Sequence, residues 1–272
     1  MDHIHDEEKI VMTKKLIESN PALQFKVFSF GQAGNRIADR FASYKTEDGK
    51  QAYECFALNR NSGDLRELKN IPSTHQSDLN LGGLGKNPEA AMRILNKNED
   101  VQHKMHEFLA NKVTDADDLV LFTVGLGGGT GTSTIVKAIE QFNVIYNMPK
   151  LKKAVALVKA KIGQEKYEDD IAKYNKLAFE LAQSQFVKIG IIAVLPVRND
   201  GPDVLRQVNK FAMQLWDVAQ NPKNGVAFVT FADNQLFYDN YKKLSVEDKN
   251  LHGSYRDYAN TEIADTIHEI NA

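Results

Sequence analysis

One cysteine, Cys55, stands among the 272 residues, so no disulfide can form within the chain and a reducing cytoplasm suits it. No apolar run approaches the roughly 18 residues of a membrane span. The N-terminus, Met1-Asp2-His3-Ile4-His5-Asp6-Glu7-Glu8, is too charged for a secretory signal. Neither sign of charge dominates: 34 Lys and Arg stand against 36 Asp and Glu, a formal net charge of −2. That balance excludes a chain built to coat nucleic acid or a membrane surface. Internal repeats and low-complexity stretches are also missing. Tryptophan occurs once, at Trp216, and reads as a packing residue. Apolar residues make up 42%, enough for a substantial core.

What is present centres on Val124-Gly125-Leu126-Gly127-Gly128-Gly129-Thr130-Gly131-Thr132-Ser133. An apolar run, Leu119 to Val124, leads in, and a helical pattern, Ile135 to Phe142, leads out. Strand, glycine loop and helix in that order leave backbone N–H groups bare at a helix N-terminus, where the helix dipole favours an anion. Such a loop is built to hold phosphate. A Walker loop carries Lys-Ser/Thr after its last glycine; here Gly131 is followed by Thr132 and Ser133. Backbone amides and hydroxyls must then hold the phosphate, with a metal ion or a second loop supplying positive charge.

The same unit recurs. Phe25 to Phe30 reads as a buried strand, followed by Gly31-Gln32-Ala33-Gly34-Asn35 and a helical spacing of Ile37, Ala38 and Phe41. The dinucleotide fingerprint G-x-G-x-x-G is absent, because its third glycine is missing. Ala52 to Leu58 is the next strand, with Cys55 in the core, and Asn59 to Leu65 leaves its end. Leu81-Gly82-Gly83-Leu84-Gly85-Lys86-Asn87-Pro88 is a third glycine-rich loop, whose helix starts at Pro88. Ile189 to Leu195 is an unbroken apolar strand, followed by Pro196 to Asp203 and a helix. Val226 to Phe231 is the last strand, followed by Ala232 to Phe237 as a loop. Tyr255 to Ile270 is helical. Strands alternating with helices predict an α/β fold: a doubly wound, mostly parallel sheet with helices on both faces. The loops at 31–35, 59–65, 82–88, 125–133, 196–203 and 232–236 then share one sheet edge.

Two segments stand apart. Residues 1–22 predict a short N-terminal helix ended by Asn20-Pro21. Residues 150–188 predict a helical insertion, a hairpin with Gly163 between its arms; Ala154 to Val158 alone is also compatible with a strand. Its lysines, Lys150, Lys152, Lys153, Lys159, Lys161 and Lys166, fit a solvated face or a partner or filament contact.

Gly127 to Thr132 resembles the phosphate loop shared by tubulin and FtsZ. Gly31 to Asn35 matches the first tubulin loop, and Gly82 to Pro88 resembles the third FtsZ loop. Asp233-Asn234 with Leu236 resembles the loop whose asparagine contacts guanine. Tyr258 to Asp265 and the helix ending His268-Glu269-Ile270-Asn271 are most similar to the central helix of the TubZ-like, plasmid- and phage-borne branch. The resemblance spans residues 25–272. It implies a GTP-binding domain over 23–254 and the start of a central helix over 255–272. It also implies GTP or GDP with Mg²⁺ as cofactors, head-to-tail self-assembly and GTP hydrolysis completed between subunits. By position, Gly31, Gln32, Ala33, Gly34, Asn35 and Gly127, Gly128, Gly129, Thr130, Gly131 and Thr132 would hold the phosphates. Gly82, Gly83, Gly85 and Asn87 would sense the terminal one. Asn199, Asp200 and Asp203 would lie by the ribose, and Asn234, Asn260 and Asp265 would read guanine. No side chain is expected to bind the metal directly.

In the family the acidic residue that orients water follows the central helix, and this chain stops at Ala272. The resemblance therefore implies no catalytic residue within the chain, and nucleotide binding with poor hydrolysis by the chain alone. A plasmid or phage DNA segregation role would run through a DNA-binding adaptor protein, without direct nucleic-acid or membrane contact. The alternative is a nucleotide-binding structural or filament-capping protein without hydrolysis. A dinucleotide oxidoreductase is disfavoured by the missing third glycine.

Overall fold

A computed structural model describes residues 20–81 and 88–272. Most of the expected N-terminal helix, and Gly82, Gly83, Gly85 and Asn87 of the third loop, lie outside the described residues. Six strands form one sheet: β1 (Phe25–Phe30), β2 (Cys55–Asn59), β3 (Gln76–Asp78), β4 (Leu119–Gly125), β5 (Lys188–Leu195) and β6 (Val226–Asp233). All pairs are parallel and the order is β3-β2-β1-β4-β5-β6. The chain winds outward from β1 to β3, then crosses to the other side of β1 for β4. The carboxyl ends of β1 and β4 are therefore neighbours whose connections diverge, which is where open α/β sheets bind ligands.

The helices are α1 (Gly31–Phe41), α2 (Ser62–Leu65), α3 (Pro88–Lys97), α4 (Glu99–Leu109), α5 (Gly129–Phe142), α6 (Met148–Ile162), α7 (Gln164–Asp169), α8 (Ile171–Gln183), α9 (Pro202–Gln220), α10 (Asn234–Lys243), α11 (Val246–His252) and α12 (Tyr255–Asn271). Strand alternation divides the core. Phe28 and Phe30 of β1 face Phe56, Phe122, Phe108 of α4, Phe142 of α5 and Leu215 of α9. Val27 faces the opposite way, with Ile37 and Phe41 of α1 and Ile263 of α12. Phe28 touches four aromatic rings, with centroids 5.1 Å from Phe56, 5.7 Å from Phe108, 5.9 Å from Phe122 and 6.4 Å from Phe142. Helices thus cover both faces, as the alternation of strands and helices predicts.

Helix α5 does not stop near Tyr146. It passes through one π-helical turn, Asn143–Asn147, straight into α6. The turn is pinned by buried asparagines. Asn143 Nδ2 donates to the Ile139 carbonyl (3.0 Å) and the Asn224 carbonyl (2.7 Å). Asn147 exchanges two hydrogen bonds with the Val187 backbone, at 3.2 and 2.9 Å. The insertion is helical up to Gln183, including Ala154 to Val158, but has three helices rather than two, and its last expected residue, Lys188, already belongs to β5. Gly163, at φ +88°, makes the first break. Ala154, Val158, Tyr167, Ala178, Ala182 and Phe186 form a separate small core inside it. Lys152, Lys153, Lys161 and Lys166 are exposed, whereas Lys159 sits 4.5 Å over the Tyr167 ring.

Other differences have local causes. The second strand starts at Cys55, because Ala52 is taken by a backbone bond to the Tyr44 carbonyl. β3 is a short polar edge strand, Gln76-Ser77-Asp78, with no apolar pattern to announce it. The segment after β6 is helical from Asn234, capped by Asp233, which accepts from Gln235 N. Trp216 is 49% exposed on α9, so it is not a core residue. No helix among the described residues is long and apolar enough to cross a membrane.

Candidate functional site

A cleft of about 480 Å³ opens at the carboxyl ends of the strands, within the size range of small-ligand sites. Its floor is made by the starts of α1 and α5. Neither helix has a side-chain cap or an acidic residue in its first turn. Asn98, Asp170, Ser245 and Ser254 cap four other helix starts, while α6, α7 and α9, like the two cleft helices, start without a side-chain cap. The two uncapped ends leave first-turn N–H groups without intrahelical partners, both at the cleft.

The glycines let these two ends meet. Gly31 has φ +74°, and a Cβ there would stand 2.7 Å from Gly131 N. A Cβ on Gly131 would stand 2.8 Å from the carbonyls of Gly125 and Phe30. Gly128, the residue before α5, is exposed, and its nearest non-neighbour atom is the Gly125 carbonyl at 4.0 Å. Some glycines therefore serve close packing, while Gly128 leaves open space above the helix start. The central loop is also tied to β5, as Leu126 N donates to the Val194 carbonyl at 2.9 Å.

Several residues expected to touch phosphate are spent inside the scaffold. Thr132 Oγ1 donates to the Leu126 carbonyl at 2.7 Å. The next two hydroxyl residues, Ser133 and Thr134, outside that expected set, likewise donate to the carbonyls of Gly129 and Thr130, at 2.7 and 2.8 Å. Thr130 is the hydroxyl residue of the loop that lines the cleft. Gly34 is pressed against the Thr123 carbonyl, where a Cβ would collide. The buried Asn35 amide lies 2.8 Å from Ser29 Oγ; with its nitrogen turned towards them, it donates to the carbonyls of Ser29 and Gly31 at 3.2 Å. Asn35 thus braces the first loop from behind.

Gly31, Gln32, Ala33, Gly127, Gly128, Gly129, Thr130, Gly131, Asp200, Asn234 and Asn260 line the cleft, as the sequence places them. Gly34, Asn35, Thr132, Asn199, Asp203 and Asp265 do not. Asn199 reaches Tyr238 Oη at 3.5 Å. Asp203 is exposed and pairs with Arg206 at 3.4 Å. Asp265 is taken by Arg40, at 3.0 and 3.3 Å, and by the Tyr44 hydroxyl. Burial, and then Asp265 itself, pushes the Tyr44 phenol well up. This cluster joins α1 to α12 beneath the cleft wall rather than in it.

Arg36, Arg60, Tyr255 and Arg256, which carry no motif signal, share the lining with Asn59 at the end of β2 and Asp64 of α2, two residues that the sequence places at a strand end facing a ligand. Arg36 is paired with Glu67 at 2.6 Å and Asp257 at 3.4 Å. Arg256 Nε donates to Tyr255 Oη at 3.2 Å. Asn59 Nδ2 donates to Asp64 at 2.9 Å. Two groups in the cleft are buried without a hydrogen-bond partner: Asn234 Oδ1, an acceptor, and Arg60 Nε and Nη1, which are donors. They lie on opposite sides of the glycine floor, at the ends of β6 and β2. Buried polar atoms normally find partners, and these two await donors at one end of a ligand and an anion at the other. Among the described residues no group of three or more His, Cys, Asp or Glu is placed to hold a metal ion.

The architecture has known counterparts. The chain aligns with TubZ of Bacillus cereus at 26% identity over 261 residues, covering 93% of this chain and 48% of that protein. It superposes on the GTPγS-form protofilament of Bacillus thuringiensis serovar israelensis TubZ with a TM-score of 0.67 at 20% identity, covering 98% of this chain and 59% of that one. In sequence and in fold the chain is similar to tubulin-like TubZ proteins. No protein-family model matches it. GDP-form protofilaments of the same TubZ give a TM-score of 0.64 at 18% identity, over 97% and 59% of the two chains. The chain spans about half the length of the curated TubZ relatives it matches. Its six-stranded parallel sheet with helices on both faces matches the tubulin/FtsZ GTPase-domain fold.

Proposed function

We propose that this chain is the guanine-nucleotide-binding part of a TubZ-like, filament-forming GTPase. One observation carries the reading: two uncapped helix N-termini meet at the strand-order reversal, with an unpartnered buried acceptor, Asn234 Oδ1, on the β6 side. Phosphates would rest on the N–H groups of α1 and α5. The base would lie towards β6, its N–H groups donating to Asn234, with Asn260 nearby and the planar groups of Tyr255 and Arg256 forming a stacking wall. Asp200 would face the ribose. Gly82, Gly83, Gly85 and Asn87 are proposed at the terminal phosphate from the sequence resemblance alone. Mg²⁺ fits a site where phosphate oxygens and water supply most ligands, with Asp64 as the neighbouring carboxylate.

The likeness to TubZ filaments supports self-assembly and guanine-nucleotide binding; head-to-tail order, a cytoplasmic setting and GTP hydrolysis completed between subunits extend the same proposal. A DNA-segregation role through a DNA-binding adaptor extends the same likeness.

Thermal shift with GTP, GDP, ATP and NAD tests the reading. Ligand at 100 times its dissociation constant adds about 2.7 kcal/mol, or about 5–10 °C for a chain of this size. Guanine nucleotides should produce that shift and NAD should not. No shift with GTP or GDP at millimolar concentration would overturn the proposal. Light scattering with GTP separates an assembling protein from one that only binds nucleotide.

A further inference from the structure

Resting on the nucleotide reading above, we infer that Arg60 is the cation that binds the terminal phosphate, replacing the lysine the glycine loop lacks. Its Nε and Nη1 are buried in the cleft wall with no partner. Burying guanidinium donors unpaired is costly, so the arrangement makes sense when an anion completes it. The other two arginines of the cleft are engaged: Arg36 with Glu67 and Asp257, and Arg256 with Tyr255. The neighbouring carboxylate, Asp64, is bound by Asn59 rather than by Arg60. Arg60 is thus the cleft arginine with donors left to give.

Its place along the sheet selects the phosphate. β2 lies beside β1, on the side away from β4, β5 and β6. A nucleotide whose base meets Asn234 crosses β5, lays its phosphates over Gly131 and Gly31, and ends towards β2. The end of β2 is held in place for that meeting. Arg60 N donates to Asn59 Oδ1 at 2.7 Å, and the Arg60 carbonyl accepts from Leu81 N at 3.0 Å. A planar guanidinium offers paired donors that match two oxygens of one phosphate. Arg60 would therefore separate triphosphate from diphosphate, a discrimination that the backbone cradle alone supplies weakly.

The test is calorimetric titration of the 272-residue chain, Arg60→Gln and Arg60→Lys with GTPγS, GDP and GMP. Arg60→Gln should weaken GTPγS about 10- to 100-fold, as loss of charge-assisted hydrogen bonds does, weaken GDP much less, and leave GMP unchanged. Arg60→Lys should recover part of the GTPγS affinity. The ligand-free Gln variant should melt no lower than the parent, because an unpaired buried charge has gone. GTPγS binding within about threefold of the parent, or an equal loss for all three ligands, overturns the assignment. A parent chain that binds none of them overturns the nucleotide reading as well.

Discussion

Gly128 and Gly131 are three residues apart in one loop, and the cleft geometry separates what they do. At Gly131 a Cβ would sit 2.8 Å from two backbone carbonyls and 2.9 Å from Val124 Cγ2. Backbone cannot swing aside as a side chain can, so Gly131→Ala should cost about 2–3 kcal/mol of stability, lowering the melting temperature by about 5–10 °C. Gly128 has φ −97° and ψ 153°, which valine adopts readily, and its Cβ would meet no atom closer than 4.0 Å. Valine is a poorer N-cap than glycine by about 1 kcal/mol. It also restricts the unfolded chain, which returns about 0.4–1 kcal/mol. Gly128→Val should therefore melt within a few degrees of the parent. Its branched side chain would fill the space over the first N–H groups of α5 and hold a phosphate off them. Losing two charge-assisted bonds at about 1.5–3 kcal/mol each lowers affinity at least about 100-fold. Melting without ligand and calorimetric titration with GDP measure both quantities on the same samples. A Gly128→Val protein that is folded and binds GDP as the parent does would show that phosphate is not seated on α5.

Three further outcomes follow from the same geometry. Asn234→Ala removes a buried acceptor that has no protein partner; the ligand-free protein should be no less stable, while preference for GTP over ATP in competition binding falls about tenfold. Gly190→Ala should cost no more than about 1 kcal/mol in urea unfolding, because what lies on the glycine is the tip of the exposed Phe228 ring, which can swing outward; replacing Phe228 by leucine in the same chain should restore most of it. The Tyr53 phenol, pushed up to about 12 by burial, must stay protonated in the folded protein. Its raised value lets the unfolded state ionise first, so stability falls as pH climbs from about 10 towards 12. Tyr53→Phe should lessen that fall, leaving the share due to the raised Tyr44 phenol, while costing about 1 kcal/mol at neutral pH through lost bonds to His268 and Asn271.

The sheet and the glycine floor of the cleft were legible in the sequence because their signals are local. A buried parallel strand is an unbroken apolar run, and a helix that starts under a ligand shows its glycines. What the sequence could not divide was the labour among those small residues. Gly34 and Gly128 look equivalent as letters, yet one is pressed against β4 and the other opens onto the cleft. Thr130 and Thr132 differ only in which way the first turn points them, and Thr132 bonds back to Leu126. Asp265 fits a motif but lies within reach of Arg40 and Tyr44, whose claim on it depends on how α1 packs against α12. Arg60 carries no motif; it becomes visible only when its burial is set beside its missing partners. The helix at Asn234 was hidden because Asp233-Asn234 reads equally as a turn and as a cap followed by a first turn.

The Asn147–Val187 clamp closes the two stems of the helical insertion against each other at the sheet boundary. Beyond it, the insertion buries apolar side chains in a core of its own, separate from the two that flank the sheet. None of these core residues lines the cleft, so substitutions among them act on the insertion's own packing. One hairpin can be exchanged for another across that paired junction, giving the chain a new outer surface on an unchanged sheet.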